Sequence, residues 1–271
     1  MVTILVILLI LVTAYRLCIS PRMGVKPDDT ALRGVYYAHR GLHDNSGDAP
    51  ENSLAAIRKA VAAHYGIEFD VQLTRDRIPV VFHDESLKRV CGVDGNVRDY
   101  TYEELQAFPL LSSKERIPLL SDVLKTVDGR VPLIIEIKIH EDVQEVCARA
   151  DELISAYQGP YCIESFDPRA VAWYKKNRPQ VIRGQLSSSF SKPGKPEKLP
   201  QLLVHYLLTN VIARPDFIAY DHKHKHNISR LLCRRHFEAL SVAWTVRSQQ
   251  ELDACRDDFD LFIFEQFIPR N

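Results

Sequence analysis

The sequence lacks any regular cysteine spacing and any excess of charge of one sign. Its six cysteines are scattered along 271 residues, with no CxxC pair. That arrangement argues against a zinc site or a disulfide scaffold, so we expect ordinary reduced thiols. The 35 basic side chains equal the 35 acidic ones in number. Because nucleic-acid binding leaves a strongly basic footprint, no nucleic-acid partner is predicted.

Charge is also missing from the N-terminus. Residues 1–15 contain no charged side chain and include the aliphatic run VTILVILLILV. A secretory signal and a membrane span both have this composition. No Lys or Arg precedes the run and no small-x-small cleavage site follows it, so a transmembrane anchor over residues 1–20 is predicted. Arg16 can snorkel to the interface and lengthen the apolar segment. A cleaved export signal is the alternative.

The residues after this segment predict its orientation and the domain organisation. Four cations follow the span: Arg16, Arg22, Lys26 and Arg33. The positive-inside rule therefore predicts a single-pass membrane protein whose remaining chain is cytoplasmic, with an exported domain as the alternative. Pro21, Gly24 and Pro27 indicate a linker over residues 21–33, which leaves residues 34–271 for one barrel domain.

Beyond the linker, short β-rich runs alternate with segments that carry apolar residues at helical spacing, such as SLAAIRKAVAA and VQEVCARADELISAY. This alternation predicts an α/β fold with a parallel sheet, and the chain length suits a TIM-type (β/α)8 barrel. The nine predicted strands are Val35–Ala38, Ile67–Asp70, Pro79–Phe82, Val131–Ile137, Tyr161–Ser165, Val181–Gln185, Phe217–Tyr220, Leu240–Trp244 and Leu261–Phe264.

The segment IEFDVQLTRDRIPVVFHD, residues 67–84, explains why there is one strand more than a barrel needs. Only about eight residues separate its two extended runs, fewer than the dozen or more that a parallel crossover takes. The second run should therefore return antiparallel, as an extra hairpin after the second strand that turns near Arg75, Asp76 and Arg77. This hairpin would bring His83 back to the level of Asp70.

Acidic side chains are predicted at the C-terminal ends of the strands, where barrel enzymes carry their active sites. Glu68 and Asp70 alternate on the second strand and so share one face. Glu136 lies near the end of the next main strand. Three carboxylates without a thiolate suit one hard divalent cation, Mg²⁺ or Ca²⁺. The alternative is plain ion pairing of Glu68 or Glu136 with Arg40 or Lys138.

Two histidines and two cations are expected at the same rim. His39 and His83 would face the cation site, and an imidazole with a pKa near neutrality suits acid–base work. Taken alone, His39 after an apolar strand could equally be a core histidine. Arg40 and Lys138 could hold an anion, since the arginine fork matches phosphate. Together these residues predict phosphate-ester cleavage.

The segments AHRG, PENS, IEFDVQLTRDRIPVVFHD, LIIEIK, IESF and AWTV resemble, in order and spacing, the motifs of the glycerophosphodiester phosphodiesterase family. The resemblance covers residues 35–269. It implies a TIM-type barrel that hydrolyses glycerophosphodiesters to glycerol 3-phosphate and an alcohol. It implies metal ligation by Glu68, Asp70 and Glu136, an acid–base pair of His39 and His83, and phosphate contacts from Arg40 and Lys138. The nucleophile, water or the substrate's own glycerol 2-hydroxyl, stays open.

Two further residues are predicted to contact substrate. Glu51 begins the first barrel helix and is expected at the edge of the site. Its alternative role is local, orienting Arg40 while Asn52 or Ser53 caps the helix. Trp244, at the end of a late strand, is expected to stack on the glycerol or head group, with plain barrel packing as the alternative.

Three segments depart from the family pattern or lie outside it. The loop LHDNSGDA adds His43, which either touches substrate or is solvated. Phe264 and Glu265 replace the usual Thr-Asp after the last strand, so no role is carried over there. The stretch KPGKPEKLPQLLVHYLLTNVI, residues 192–212, predicts a linker and a buried barrel helix, with a lipid-facing surface near the active-site mouth as the alternative.

The sequence thus predicts a membrane-tethered, metal-dependent phosphodiester hydrolase with glycerophosphodiesters as its small-molecule substrates. Lysophospholipase D action on lysophospholipids is the near alternative. A catalytically silent, membrane-tethered binding barrel is the alternative from another class, and the intact site residues argue against it. The head-group alcohol, the choice between Mg²⁺ and Ca²⁺ and the oligomeric state stay open.

Overall fold

A computed structural model describes residues 1–140, 142–191 and 194–270. Its strands are β1 Tyr37–His39, β2 Gly66–Leu73, β3 Pro79–Val81, β4 Leu133–Ile137, β5 Tyr161–Ser165, β6 Arg183–Ser187, β7 Phe217–Asp221, β8 Leu240–Val246 and β9 Leu261–Phe264. Its α-helices are α1 Val2–Ile19, α2 Leu54–Ala62, α3 Lys88–Cys91, α4 Tyr102–Leu105, α5 Leu120–Val127, α6 Val143–Ile154, α7 Pro168–Asn177, α8 Leu199–His205, α9 Asn210–Ala213, α10 Ile228–Phe237 and α11 Gln249–Cys255.

The parallel strands close into a barrel. In the described chain the order is β1, β2, β4, β5, β6, β7, β8 and β9, and β9 pairs with β1 to complete the ring. Helices connect most of the consecutive strands, which gives the predicted TIM-type (β/α)8 architecture. We call the C-terminal ends of the strands the mouth and the N-terminal ends the floor.

The ninth strand is the predicted hairpin. β3 runs antiparallel to β2, with Val71 opposite Val81 and Leu73 opposite Pro79. The turn closes through Thr74 N, which donates to Ile78 O. Above it α3 and α4 enclose a small core of their own around Val80 and Phe82. The hairpin therefore stands outside the ring and leaves eight strands in it, as predicted.

Several strand ends differ from prediction. β2 extends to Leu73 and β8 to Val246, whereas β6 begins at Arg183 rather than at residue 181. An apolar run identifies the strand, but backbone pairing with the neighbouring strands sets where it begins and ends.

The segment between α1 and β1 lies against the floor. Leu32 is buried and packs among residues inside the barrel. Its carbonyl accepts a hydrogen bond of 2.6 Å from Tyr37 Oη, and Arg22 N donates to Pro215 O at 2.8 Å. The predicted linker is thus held to the barrel near both of its ends, by Arg22 and by Leu32.

α1 is long and apolar enough to cross a membrane, with a mean hydropathy of 2.6 and 6% of it buried. Only its last turns touch the barrel. Ile19 is fully buried, and its carbonyl accepts hydrogen bonds from Asn210 Nδ2 on α9 and Cys233 Sγ on α10. The helix is therefore seated on the barrel at one end and exposed over the rest.

The prediction of a buried helix in residues 192–212 is wrong for α8. The leucine-rich stretch was expected to form a buried helix, yet no residue of α8 is buried, and Leu199 is 69% exposed. Among the described residues of this stretch, the buried apolar one is Leu207, which lies after α8. A segment that is apolar nearly all round gives no information about which side faces the barrel, so burial here depended on the tertiary path. Residues 192 and 193 lie outside the described residues.

Candidate active site

Three carboxylates lie together inside the mouth. Glu68 and Asp70 alternate along β2, and the register of β2 with β4 places Glu136 opposite Asp70. Each of the three offers an oxygen within 4.8 Å of the others, and all three residues are buried. Alternation on a strand turns both β2 acids to one side, so sheet register assembles the predicted metal ligands.

Burial and mutual repulsion govern the charge of this cluster. Burial raises the pKa of Glu68 well above its ordinary value, and the Asp70 and Glu136 charges raise it further. Burial also raises the pKa of Glu136. It acts on Asp70 in the same direction, but the Lys138 ammonium and other cations hold the pKa of Asp70 well below its usual range. Carboxylate oxygens are hard donors, and a bound divalent cation would offset the repulsion between these crowded, buried groups. The three residues therefore fit a divalent-cation site.

Glu164 extends the same row of acids. It lies opposite Glu136 in the register of β4 with β5 and is 1% exposed. Its Oε2 accepts no hydrogen bond from any described residue. Burial, and then the Glu136 charge, raise its pKa well above the ordinary value. Glu164 is not among the predicted site residues, although its position at the end of β5 was a usable signal.

Lys138 and Arg40 are held by acids of the site. Lys138 Nζ lies 2.8 Å from Glu136 Oε2 and 3.0 Å from Asp70 Oδ1. Arg40 Nη1 donates to Glu51 Oε1 at 2.6 Å, and its Nε lies 3.7 Å from Asp70 Oδ2. Both predicted phosphate contacts therefore lie at the mouth, and each is already an ion-pair partner there.

The turn after β1 keeps these residues in place. Arg40 and Gly41 both have positive φ, 56° and 80°. A Cβ at Gly41 would lie 2.9 Å from the backbone carbon of Ala56 on α2, so glycine is required by both conformation and space. The tight turn places the Arg40 side chain beside the barrel opening immediately after His39.

His39 lies at the end of β1 between two carboxylates. Its Nδ1 is 2.5 Å from Glu265 Oε2, and its Nε2 is 3.8 Å from Glu68 Oε2. Burial lowers the pKa of His39 to about 4, although the Glu265 carboxylate acts in the opposite direction. Arg247 Nε also donates to Glu265, at 2.6 Å. Glu265 thus fixes the His39 ring and leaves Nε2 facing the carboxylate cluster.

His83 has a similar arrangement with more solvent around it. Its Nδ1 lies 2.5 Å from Asp84 Oδ1, and its side chain is 32% exposed. Asp84 also accepts from Arg89 Nε at 2.6 Å. The hairpin delivers this pair to the mouth, because Phe82 N donates to Asp70 O at 3.0 Å. Each histidine therefore has a carboxylate at Nδ1.

Glu51 lies deeper than predicted. It is 4% exposed and accepts hydrogen bonds from Arg40, Arg89 and Asn45. Burial opposes ionisation, yet the two guanidinium groups lower the pKa of Glu51 to about 2. These contacts agree with the alternative role predicted for Glu51, in which it orients Arg40 rather than contacting substrate. Ser53 caps α2, as its Oγ accepts from Ala56 N.

A mouth cavity of about 140 Å³ joins most of the predicted site. Seven of the nine predicted site residues line it: His39, Arg40, Glu68, His83, Glu136, Lys138 and Trp244. Trp244 packs edge-to-face on Phe166, 5.4 Å between ring centroids, and its Nε1 makes no hydrogen bond with the described residues. Trp244 is therefore both barrel packing and a wall of the cavity.

Two supporting residues were missed by sequence reasoning. Asn52 was considered only as a helix cap, but its Nδ2 donates to Asp70 Oδ2 at 2.9 Å from a backbone with φ 58°. Glu265 was left without a role, yet it holds His39. His43 is not solvated either, since its side chain is 7% exposed and its Nε2 lies 3.7 Å from Glu265. No local pattern links residues so far apart in the chain.

These features define the class of the protein: a (β/α)8 barrel whose mouth holds a carboxylate cluster suited to a divalent cation, with two carboxylate-paired histidines beside it. The model of the glycerophosphoryl diester phosphodiesterase family matches residues 39–259. The chain belongs to that family.

Individual relatives agree with this assignment. A glycerophosphodiester phosphodiesterase of Bacillus altitudinis is 34% identical over 54% of this chain and 63% of its own. Human lysophospholipase D GDPD1 is 31% identical over 54% of this chain and 49% of its own. The chain therefore covers less than two thirds of the length of these curated relatives. The solved structure of a Thermotoga maritima glycerophosphodiester phosphodiesterase matches with a TM-score of 0.65 and 26% identity, over 85% of this chain and 94% of that one.

Proposed function

We propose that this protein hydrolyses glycerophosphodiesters to glycerol 3-phosphate and an alcohol. The observation that carries the proposal is the convergence of a carboxylate cluster and two carboxylate-backed histidines on one small cavity. Membership of the family and the named relatives support the reaction class.

Glu68, Asp70 and Glu136 would hold one divalent cation, Mg²⁺ or Ca²⁺, whose chemistry is to stabilise negative charge on the nonbridging phosphate oxygens. Arg40 and Lys138 would contribute positive charge at the same oxygens. Asn52 and Glu51 orient Asp70 and Arg40 through the hydrogen bonds described above.

His39 and His83 would divide the proton transfers. The carboxylates of Glu265 and Asp84 occupy the Nδ1 atoms, so each ring has its Nε2 left for substrate. One Nε2 accepts the proton of the nucleophile, and the other donates a proton to the leaving alcohol. The nucleophile is either the glycerol 2-hydroxyl or water. Detection of a cyclic glycerophosphate during turnover would identify the hydroxyl.

The cavity favours a small substrate. Its volume of about 140 Å³ is well below the roughly 300–1,000 Å³ of pockets for drug-sized ligands. A soluble glycerophosphodiester such as glycerophosphocholine or glycerophosphoethanolamine is therefore the first candidate. Lysophospholipase D action is the second, supported by the similarity to human lysophospholipase D GDPD1 and by the apolar α1.

We also propose that residues 1–20 anchor the protein in a membrane, with 21–33 as a linker and 34–271 as the barrel domain. Burial of Ile19 in the barrel core supports a retained anchor over a cleaved signal, because cleavage would remove that contact. The four cations from Arg16 to Arg33 support a cytoplasmic barrel. A reporter fused to the C-terminus distinguishes this topology from export.

The test uses the full chain in detergent micelles, since the anchor and linker are part of the packed structure. Glycerol 3-phosphate release is measured from glycerophosphocholine, glycerophosphoethanolamine, glycerophosphoglycerol and glycerophosphoinositol, and lysophosphatidic acid release from lysophosphatidylcholine. Each assay is run with EDTA and after return of Mg²⁺ or Ca²⁺.

Glu68→Gln should lose the response to added cation, whereas the exposed Glu103→Gln should keep it. Turnover of a glycerophosphodiester restored by a cation supports the proposal. Folded protein that turns over none of these substrates refutes it.

A further inference from the structure

A second cavity lies at the opposite end of the barrel from the mouth. It is a groove of about 780 Å³ between α1 and the floor, and we call it the floor groove. One wall comes from α1 and includes the apolar side chains of Leu9, Val12 and Leu17. The other wall comes from the barrel and includes the ring of Phe237 at the end of α10. The groove is thus open to whatever surrounds α1.

Cations collect at the barrel end of the floor groove. Five of its lining residues are basic: Arg16, Arg22, Lys175, Arg183 and Arg214. None of the described lining residues carries a carboxylate. Asp216, beside the groove, is paired with Arg22 at 2.8 Å and lies 3.7 Å from Arg183 Nη1. One acid against five cations leaves the groove with a net positive charge.

Backbone carbonyl oxygens, rather than acids, hold two of the other cations, Lys175 and Arg214. Lys175 Nζ donates to Ile212 O at 2.7 Å, and Arg214 Nη1 donates to Leu17 O and Ser20 O at 3.0 and 2.9 Å. Arg183 is 2% exposed, and its Nε donates to no described residue. Carbonyl oxygens satisfy hydrogen-bond donors but supply no full negative charge, so the positive potential persists.

The groove has the dimensions of one lipid leaflet. It extends along α1 from Leu9 to Ser20, which at about 1.5 Å per residue is roughly 16 Å. Half of a hydrocarbon core about 30 Å thick is about 15 Å. A groove of about one leaflet's length, with apolar side chains toward Leu9 and cations toward the barrel, matches a molecule with acyl chains and an anionic head.

We propose that the floor groove binds an anionic phospholipid of the membrane that α1 enters, with its phosphate at the cations and an acyl chain along α1. The bound lipid would fix α1 against the barrel. This inference rests on the proposed membrane anchor and is independent of the reaction proposed for the mouth.

The experiment uses the full chain in detergent micelles titrated with phosphatidylglycerol or with phosphatidylcholine. Native mass spectrometry counts the bound lipids, and the unfolding midpoint follows the stabilisation of the protein. Inorganic phosphate at matched concentration tests whether a free anion is sufficient. Partition into phosphatidylcholine vesicles tests the anchor separately.

Lys175→Gln is the main variant, because Lys175 is an exposed groove cation outside the proposed site at the mouth. Its matched control is Lys176→Gln, the next exposed lysine on α7, which does not line the groove. A cation near an anionic lipid surface contributes about 1 kcal/mol, so phosphatidylglycerol affinity should fall about fivefold in the first variant and stay unchanged in the second. Arg16→Gln should give a similar fall without altering the barrel core.

One phosphatidylglycerol bound in preference to phosphatidylcholine, with this difference between the variants, supports the proposal. Equal binding of the two lipids, equal effects of the two lysine variants, or full stabilisation by inorganic phosphate overturns it. If the protein partitions into phosphatidylcholine vesicles in that case, the anchor stands and only the lipid site fails. If it partitions into no vesicle, both the anchor and the lipid site fail.

Discussion

The mouth and the floor of this barrel carry opposite charge arrangements. At the mouth, buried acids surround two cations, and each cation is paired with a carboxylate. At the floor, cations surround one acid and are held mainly by backbone carbonyl oxygens. Carboxylates of high charge density suit a small divalent cation, whereas uncompensated arginine and lysine side chains suit a bulky anion.

The two ends also differ in their connection to the rest of the chain. The mouth is built from strand ends, short turns and the hairpin, whereas the floor is covered by the segment that follows α1. The barrel body separates the two. We therefore expect substitutions at the mouth to alter chemistry or stability, and substitutions at the floor groove to alter lipid binding alone.

The largest effect should come from the histidines. His39→Asn or His83→Asn should lower kcat by about 10³-fold, about 4 kcal/mol in barrier, because each would remove one of the two proposed proton-transfer groups. The rate of glycerol 3-phosphate release measures kcat for each variant and for the parent. His64→Asn is the matched control, since His64 is exposed and its φ of 58° is one that asparagine tolerates. Turnover within tenfold of the parent in both site variants would remove the histidines from the mechanism.

Glu51 should have the next largest effect, on stability. Its folded pKa of about 2 lies below the ordinary value of 4.5, so its stabilisation is present above pH 4.5 and is lost as pH falls toward 2. About 2.5 pKa units correspond to roughly 3 kcal/mol. Glu51→Gln should lower the free energy of unfolding by about that amount at pH 7, measured by urea denaturation. The difference from the parent should shrink as pH approaches 2, and a constant difference would contradict this assignment.

A smaller effect is expected from Glu265, which is hydrogen-bonded to His39 Nδ1 and does not line the mouth cavity. Glu265→Gln should lower kcat about 10- to 100-fold and leave KM within about twofold. Glu265→Asp should restore part of the loss by restoring the charge. Asp257→Asn serves as a control without effect, because Asp257 is an exposed acid in the turn that precedes β9. A rise in KM with unchanged kcat would assign Glu265 to substrate binding instead.

The smallest effect sharpens the comparison between the two ends. Lys175→Gln should leave kcat and KM for a soluble glycerophosphodiester within about twofold of the parent, because Lys175 donates to Ile212 O, lines the floor groove and does not line the mouth cavity. Steady-state kinetics in micelles measures this. A tenfold change would show that the floor and the mouth are coupled through the barrel.

The amino-acid pattern was sufficient for the barrel and its hairpin. All nine strands lie where β-rich runs were identified, and the short β2 to β3 connection required an antiparallel return. The same pattern was insufficient to predict the burial of α8. Its leucines show no preferred side in the sequence, and in the structure they are not buried. Local periodicity predicts an element and its inward face only when polar residues mark the outward one.

The sequence by itself determined which chemical groups stand at the strand ends, because strand alternation fixes the side on which Glu68 and Asp70 lie. Only the tertiary structure decided their partners. Closure of the barrel between β9 and β1 brings Glu265 to His39 across 226 positions of the chain, and sheet register sets Glu164 beside Glu136. The floor groove exists for the same reason, since α1 and the loops before β6 and β7 meet only in the folded protein. Spacing in the chain encodes short-range geometry, whereas contacts between distant strands depend on packing and register that no local pattern records.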